Sequence, residues 1–278
     1  MPAQLTHRTH AGNRLQVTAY GTGGDGRRPV ILYAHGFKAF KDWGFVPWLG
    51  GQAAAAGMIF VAFNFSHNGI GEALGELTEL ARFEQNTYSL EVSELREMIQ
   101  FCRQQFSVRG LPPPLGLMGH SRGGGIALLA ARRHPEVRAV ATWGAISTVD
   151  RFAREDREAW RKRGYLEVRN TRTGQVLRVG SQLLDEVERY GRSSLHILEA
   201  VRELARPLLI VHGQQDETVP VFEAEQLNIF ADPALTTLRI IPRGTHTFGA
   251  QHPFAGAPPA LEEAIGLTLP FFSEHLLR

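Results

Sequence analysis

One cysteine, Cys102, stands in a chain of 278 residues. A disulfide within the chain is excluded, and so is a thiolate metal cluster. Lysine is nearly as scarce: Lys38, Lys41 and Lys162 are the only ones, and arginine supplies the rest of the 30 basic residues. That bias fits codon usage or adaptation to heat alike. No apolar run approaches the ~18 residues of a membrane span. The first residues, MPAQLTHRTHAGNR, lack the apolar core of a secretory leader. Charge of one sign is not in excess either; 30 basic against 28 acidic residues leaves +2. No basic stripe is interleaved with aromatics, so nucleic acid is not an expected partner. These absences lead us to expect a cytoplasmic protein without metal or cofactor, acting on a small molecule. They carry no signature of an oligomeric state.

What is present centres on Leu115 to Ala131, LGLMGHSRGGGIALLAA. An apolar run meets Gly119-His120-Ser121-Arg122-Gly123 and passes at once into a helix-forming run. A serine in so tight a strand-to-helix turn holds its hydroxyl clear of the sheet, and the crowded backbone needs small residues two before and two after. Gly119 and Gly123 meet that need. The helix N-terminus beneath the serine favours developing negative charge. A bare G-x-S-x-G is equally a glycine-rich loop capping a helix; the strand before and helix after favour a nucleophile elbow.

The flanking chain alternates strands and helices. Gln4–His10 and Arg14–Tyr20 read as a hairpin, followed by a Gly-rich loop. Val30–Ala34, Met58–Phe65 and Pro207–Val211 read as buried strands, and Val137–Trp143 and Leu235–Ile241 as further strands. Glu84–Phe106 has an amphipathic stripe of Tyr88, Val92, Leu95, Ile99 and Cys102, which makes Cys102 a core residue and not a reactive thiol. Phe222–Phe230 and Pro259–Leu277 read as helices. This is an α/β pattern with a mostly parallel sheet and helices on both faces. It breaks over about Ile146 to Ala205, where charged helices surround a hairpin at Tyr165–Val179. We expect a core of residues 1–145 and 206–278 and an inserted cap of residues 146–205.

Three loops after strands carry further chemistry. Val30–Ala34 runs into His35-Gly36-Phe37, where Gly36 lets the N–H of Phe37 turn toward a reacting carbonyl. The N–H of Arg122 is the second expected oxyanion donor. His35 itself reads as a structural histidine bonding loop carbonyls. Ser66 is a poor rival nucleophile, because no helix follows it. Asp216 follows Pro207–Val211, and His246 follows Leu235–Ile241. The order Ser121, Asp216, His246 is the one expected for this elbow. A base for the serine and an acid to orient that base are what nucleophilic catalysis requires.

The segments HGF, GHSRGG, HGQQDETVP and GTHTF resemble the four signature regions of the α/β-hydrolase-fold serine hydrolases. Among these, the chain is most similar to cinnamoyl/feruloyl-esterase-like and dienelactone-hydrolase-like carboxylesterases. Dienelactone hydrolases proper carry Cys where this chain has Ser121, a departure that favours ordinary esters over lactones. The resemblance implies two-step acyl transfer, in which Ser121 attacks, His246 moves the proton, Asp216 orients His246, and the Phe37 and Arg122 N–H groups bind the oxyanion. Aromatic or short-to-medium acyl esters are the implied substrates. A thioesterase or peptidase could use the same triad, and a lyase or cofactor-free oxygenase the same fold. The aromatic cluster Phe37, Phe40, Trp43, Phe45 and Trp48 is read either as a pocket wall or as core. Trp43, Trp160 and Tyr165 are the expected substrate contacts, with Leu166 a further inward-facing candidate.

Overall fold

A computed structural model describes residues 1–24, 26–71 and 75–277. Its main sheet has eight strands: β1 (Ala3–Arg8), β2 (Arg14–Tyr20), β3 (Val30–Ala34), β4 (Ile59–Phe63), β5 (Leu115–His120), β6 (Val137–Trp143), β9 (Leu208–Gly213) and β10 (Thr236–Ile241). Strands β7 (Tyr165–Arg169) and β8 (Val176–Gly180) form a separate antiparallel pair. The spatial order of the main sheet is β1-β2-β4-β3-β5-β6-β9-β10. Pairing is antiparallel from β1 to β2 and from β2 to β4, and parallel from there on. The parallel strands β3, β4, β5 and β9 are buried along their whole length, which is why they read as continuous apolar runs and not as alternating ones.

Two apolar cores cover the two faces of this sheet. Helices α1 (Val46–Ala55) and α9 (Pro259–Leu276) pack on one face against Ile31, Tyr33, Met118 and Trp143. On the other face lie α3 (Tyr88–Gln105), α4 (Arg122–Ala131), α7 (Ile197–Arg202) and α8 (Phe222–Phe230), against Val30, Leu32, Leu117 and Val140. Cys102 is fully buried in this second core.

The helix expected over Glu84–Phe106 starts four residues later, at Tyr88. A short helix α2 (Leu80–Glu84) ends before Asn86, and Thr87 starts α3 by accepting a hydrogen bond from the Leu90 N–H on its Oγ1. A β-configured threonine with a free backbone donor three residues on is a helix start, not a helix interior. The carboxylate of Glu186 also accepts hydrogen bonds from the N–H groups of Tyr88 and Ser89, so a residue from the 146–205 segment seats itself on the α3 N-terminus.

That segment comprises α5 (Arg154–Arg163), the β7–β8 hairpin, α6 (Ser181–Tyr190) and α7. The hairpin turns at Thr171–Gly174, where the sequence places it, and lies against α2. It is tied down by side chains that reach backbone carbonyls: Gln175 to Leu77, Gln182 to Glu84, and Arg172 to Gly75. No helix among the described residues is long and apolar enough to cross a membrane.

Candidate active site

Parallel strands β5, β9 and β10 end on the same side of the sheet, and each delivers one polar side chain there. At the end of β5 the chain turns through Ser121, whose φ of 58° is rare for a residue with a side chain. Crowding explains the flanking glycines. A Cβ on Gly119 would lie 2.3 Å from the Gly123 carbonyl oxygen, and one on Gly123 would lie 2.3 Å from that of Ala34. The strain therefore persists because the surrounding packing holds it, as functional backbone outliers do.

Ser121 Oγ lies 2.9 Å from His246 Nε2, and His246 Nδ1 lies 2.8 Å from Asp216 Oδ2. Ser121 is 8% and Asp216 7% exposed. The other Asp216 oxygen, Oδ1, accepts the N–H groups of Thr218 and Val219 at 2.9 and 2.8 Å. Burial alone would raise the Asp216 pKa. Hydrogen bonds from His212 and His246, the nearby His246 ring and the Val219 N–H outweigh it, and hold the carboxyl well below the ordinary carboxylate range. A carboxylate so held accepts the Nδ1 proton of His246, which leaves Nε2 free to accept from the serine hydroxyl.

Phe37 and Arg122 sit beside Ser121, as the sequence places them. A Cβ on Gly36 would come within 3.0 Å of Ser121 Cβ, so the loop backbone carrying Phe37 runs directly against the serine. Arg122 is the first residue of α4, so its N–H has no partner within the helix. Neither N–H is engaged by another group among the described residues. His35 is structural, as expected: Nδ1 donates to the Gly36 carbonyl and Nε2 accepts from Phe65 N and Asn68 Nδ2. Burial pushes its pKa down to about 4.

Two histidines that the sequence reading passed over complete the surroundings. His120, directly before the serine, donates from Nε2 to the His246 carbonyl at 2.8 Å, and the two rings lie 4.7 Å apart. It thereby ties the loop after β10 to the end of β5. His212, fully buried, donates from Nε2 to the Val219 carbonyl at 2.8 Å and stands 3.4 Å from Asp216 Oδ2. Their signal in the sequence is position alone: each lies in the last two residues of a buried strand.

Two cavities meet at Ser121. The smaller, about 240 Å³, is walled by Phe37, Ile146, Phe152, Val168, Val179 and Leu183, with Tyr88 and Arg122 at one side and Arg151 at another. The larger, about 560 Å³, is bounded by His246, Thr247, Trp43 and His252 on one side and by Lys38, Asn170 and Arg172 on the other. Both take part of their wall from the 146–205 segment.

The aromatic cluster of residues 37–48 divides. Phe37 and Trp43 face the cavities, Phe40 and Phe45 are buried in the cores, and Trp48 packs on Phe254. Of the expected substrate contacts, Trp43 is on a cavity wall. Trp160 is not; it is 0% exposed and packs edge-on against Phe152, one layer behind the surface it was expected to form. The Tyr165 ring lies 4.2 Å beneath the Arg178 guanidinium on the hairpin and is on neither wall. Leu166 packs against the core, two residues before the cavity-facing Val168 on β7.

Comparison with known proteins agrees with this architecture. The sequence profile of the alpha/beta hydrolase fold matches residues 29–185. A 2,6-dihydropseudooxynicotine hydrolase of Paenarthrobacter nicotinovorans is 23% identical over 222 residues; the match covers 75% of this chain and 52% of that protein, so the chain spans about half the length of this curated relative. The structure of Est1E from Butyrivibrio proteoclasticus with ferulic acid bound superposes with a TM-score of 0.73 at 18% identity, over 99% of this chain and 100% of that one. A dienelactone hydrolase from Anabaena variabilis superposes with a TM-score of 0.64 at 20% identity, over 99% of both chains.

Proposed function

The chain belongs to the alpha/beta hydrolase fold family, and from that premise we propose that it is a serine hydrolase cleaving carboxylic esters through an acyl-enzyme. The observation that carries this reading is the unbroken row Asp216–His246–Ser121, with a strained serine at its head. Ser121 Oγ attacks the ester carbonyl as its proton passes to His246 Nε2. Asp216 holds the imidazole in the tautomer that can accept that proton and stabilises the imidazolium. The N–H groups of Phe37 and Arg122 bind the oxygen that becomes negative. The ester C–O bond breaks, and the leaving oxygen takes the proton from His246. Water, deprotonated in turn by His246, releases the acid and restores the serine.

The acyl group is assigned to the smaller cavity, whose walls are mostly aliphatic and aromatic. Its two arginines are each matched by a buried carboxylate, Arg122 by Glu91 at 2.7 Å and Arg151 by Glu223. Such a pocket favours an apolar acyl chain or ring, in keeping with short-to-medium or aromatic acyl esters. The segment 146–205 acts as a cap over Ser121, with the core in residues 1–145 and 206–278. An alkyl fluorophosphonate should label the protein once, on the peptide carrying Ser121, and Ser121→Ala should abolish labelling and ester hydrolysis together. Labelling of another residue, or an active Ser121→Ala protein, overturns the reading.

A further inference from the structure

The two cavities at Ser121 differ in how their cations are compensated. In the smaller one, Arg122 and Arg151 face carboxylates. In the larger one, Lys38 and Arg172 do not. The Lys38 ammonium donates to the Arg169 carbonyl at 3.0 Å, and the Arg172 guanidinium to the Gly75 carbonyl at 2.9 Å; neither has a carboxylate partner among the described residues. No aspartate or glutamate among the described residues lines that cavity. Carbonyl oxygens fix the two side chains in place, and no carboxylate among the described residues cancels their charge.

Other donors on the same walls are also uncommitted. Asn170 is buried, its Oδ1 accepts the backbone N–H of Arg172, and its Nδ2 has no partner among the described residues. His252 Nδ1 accepts the Gly44 N–H at 3.0 Å, so a neutral His252 carries its proton on Nε2. Burial, and then the neighbouring Arg172, holds its pKa below the ordinary value and keeps it neutral. Lys38 itself sits at a φ of 60°. A side-chain-bearing residue held there marks a site whose surroundings over-determine it.

The chemistry of acyl transfer says which part of the substrate this cavity meets. His246 Nε2 must hand its proton to the leaving oxygen, so the leaving group lies on the histidine side of Ser121. His246 and Thr247 line the larger cavity and not the smaller. We propose that the larger cavity receives an alcohol leaving group bearing an anionic, oxygen-rich head, a carboxylate or a phosphate, selected by Lys38, Arg172 and Asn170. The assignment rests on the serine-esterase reading above. In the step concerned, the Ser121 Oγ–acyl bond forms and the ester C–O bond breaks. The proton taken from Ser121 goes to the alcohol oxygen, and the anionic head keeps its charge throughout.

The test compares three esters of one short acyl group: one with a neutral alkyl alcohol, one whose alcohol ends in a carboxylate at the same length, and one whose alcohol ends in a phosphate. At low salt, kcat/KM should be on the order of tenfold higher for at least one charged ester, and added salt should narrow the gap. The charged ester that wins identifies the head. Arg172→Gln and Lys38→Met should each reduce the charged-to-neutral ratio toward one, while Arg172→Lys should retain part of it, which separates lost charge from lost folding. Equal rates in the wild type, or a ratio unmoved by both substitutions, would overturn the proposal while leaving the esterase reading intact. Failure to hydrolyse any of the three would count against that reading itself. The free charged alcohol should then still bind Ser121→Ala protein more tightly than the neutral one, and equal binding would overturn the proposal on its own.

Discussion

The loops that end β5, β9 and β10 and the segment that covers them are built on different terms. Ser121, Asp216 and His246 follow the parallel strands β5, β9 and β10, the first two buried along their whole length, and each is held by at least two hydrogen bonds or by close packing of backbone on backbone. The 146–205 segment is a small hairpin and short helices, whose outer faces are exposed and rich in charge. Its inner face, with Trp160, Leu177, Leu183, Leu184 and Val187, joins the larger apolar core, and single side chains reaching carbonyls pin the hairpin. Groups that must stay within a fraction of an ångström of one another sit on the strand-end loops, and the segment adds part of the wall of both cavities. Strand ends of open α/β sheets are suited to the first task, because several loops converge there.

Substitutions in the strand-end loops should have the largest effects. Ser121→Ala and His246→Ala should each lower kcat by several orders of magnitude, and the double variant by little more, since residues of one proton-transfer unit are not additive. Asp216→Asn should cost on the order of 10⁴-fold, through the wrong imidazole tautomer. Steady-state kinetics on a p-nitrophenyl ester reads both. Losses that multiply in the double variant would show separate functions.

His120 lies between the two regions in expected effect. His120→Asn removes the ring nitrogen that holds the His246 carbonyl, and a small displacement of a catalytic group costs rate more than binding. A fall in kcat on the order of tenfold, with KM nearly unchanged, is expected. A KM effect alone would place His120 on the binding side of the comparison.

In the segment, Phe152→Ala should reorder selectivity and not abolish turnover. Enlarging the smaller cavity should lower kcat/KM for a medium-chain or aromatic acyl ester relative to acetate by on the order of tenfold. An unchanged ranking across acyl chain lengths would detach the segment from selectivity.

The smallest effect is on stability. His35 and His120 are buried, with pKa values pushed down to about 4 and about 3. Burial is the main cause for both. The unfolded chain takes up their protons near the ordinary value of about 6.5. Their contribution is therefore fully present above about 6.5 and is lost as pH falls toward their folded values. Glu94, buried and raised to about 6, works in the opposite sense and trims the slope. Melting temperature should thus decline on acidification below neutrality, and His35→Gln should flatten the decline. A melting temperature constant from neutral to mildly acidic pH would contradict this.

The same division explains what was legible beforehand. The bounds of β3, β6 and α8 follow directly from apolar runs and helical spacing. Ser121, Asp216 and His246 could be placed because each lies at or in the short loop after such a strand, so local pattern and tertiary position coincide. Phe152, Asn170 and Arg172 could not, because their place beside Ser121 depends on how a polar hairpin folds back over α2. Trp160 shows the limit in the other direction: an aromatic residue in a charged helix was expected to face the substrate, yet the apolar surface it covers is Phe152. The apolar stripe from Tyr88 to Cys102 lies wholly within α3, so the spacing marks that helix but not the capping Thr87 that starts it.

The central claim is an ester bond between substrate and Ser121, and it can be weighed directly. Rapid acid quench of the protein with a slowly deacylating p-nitrophenyl ester, followed by intact mass and peptide mapping, should show a transient gain of one acyl group on the peptide carrying Ser121, absent from Ser121→Ala. Turnover of that ester with no acylated species at any time, or an acyl group carried by a different residue, would contradict the account.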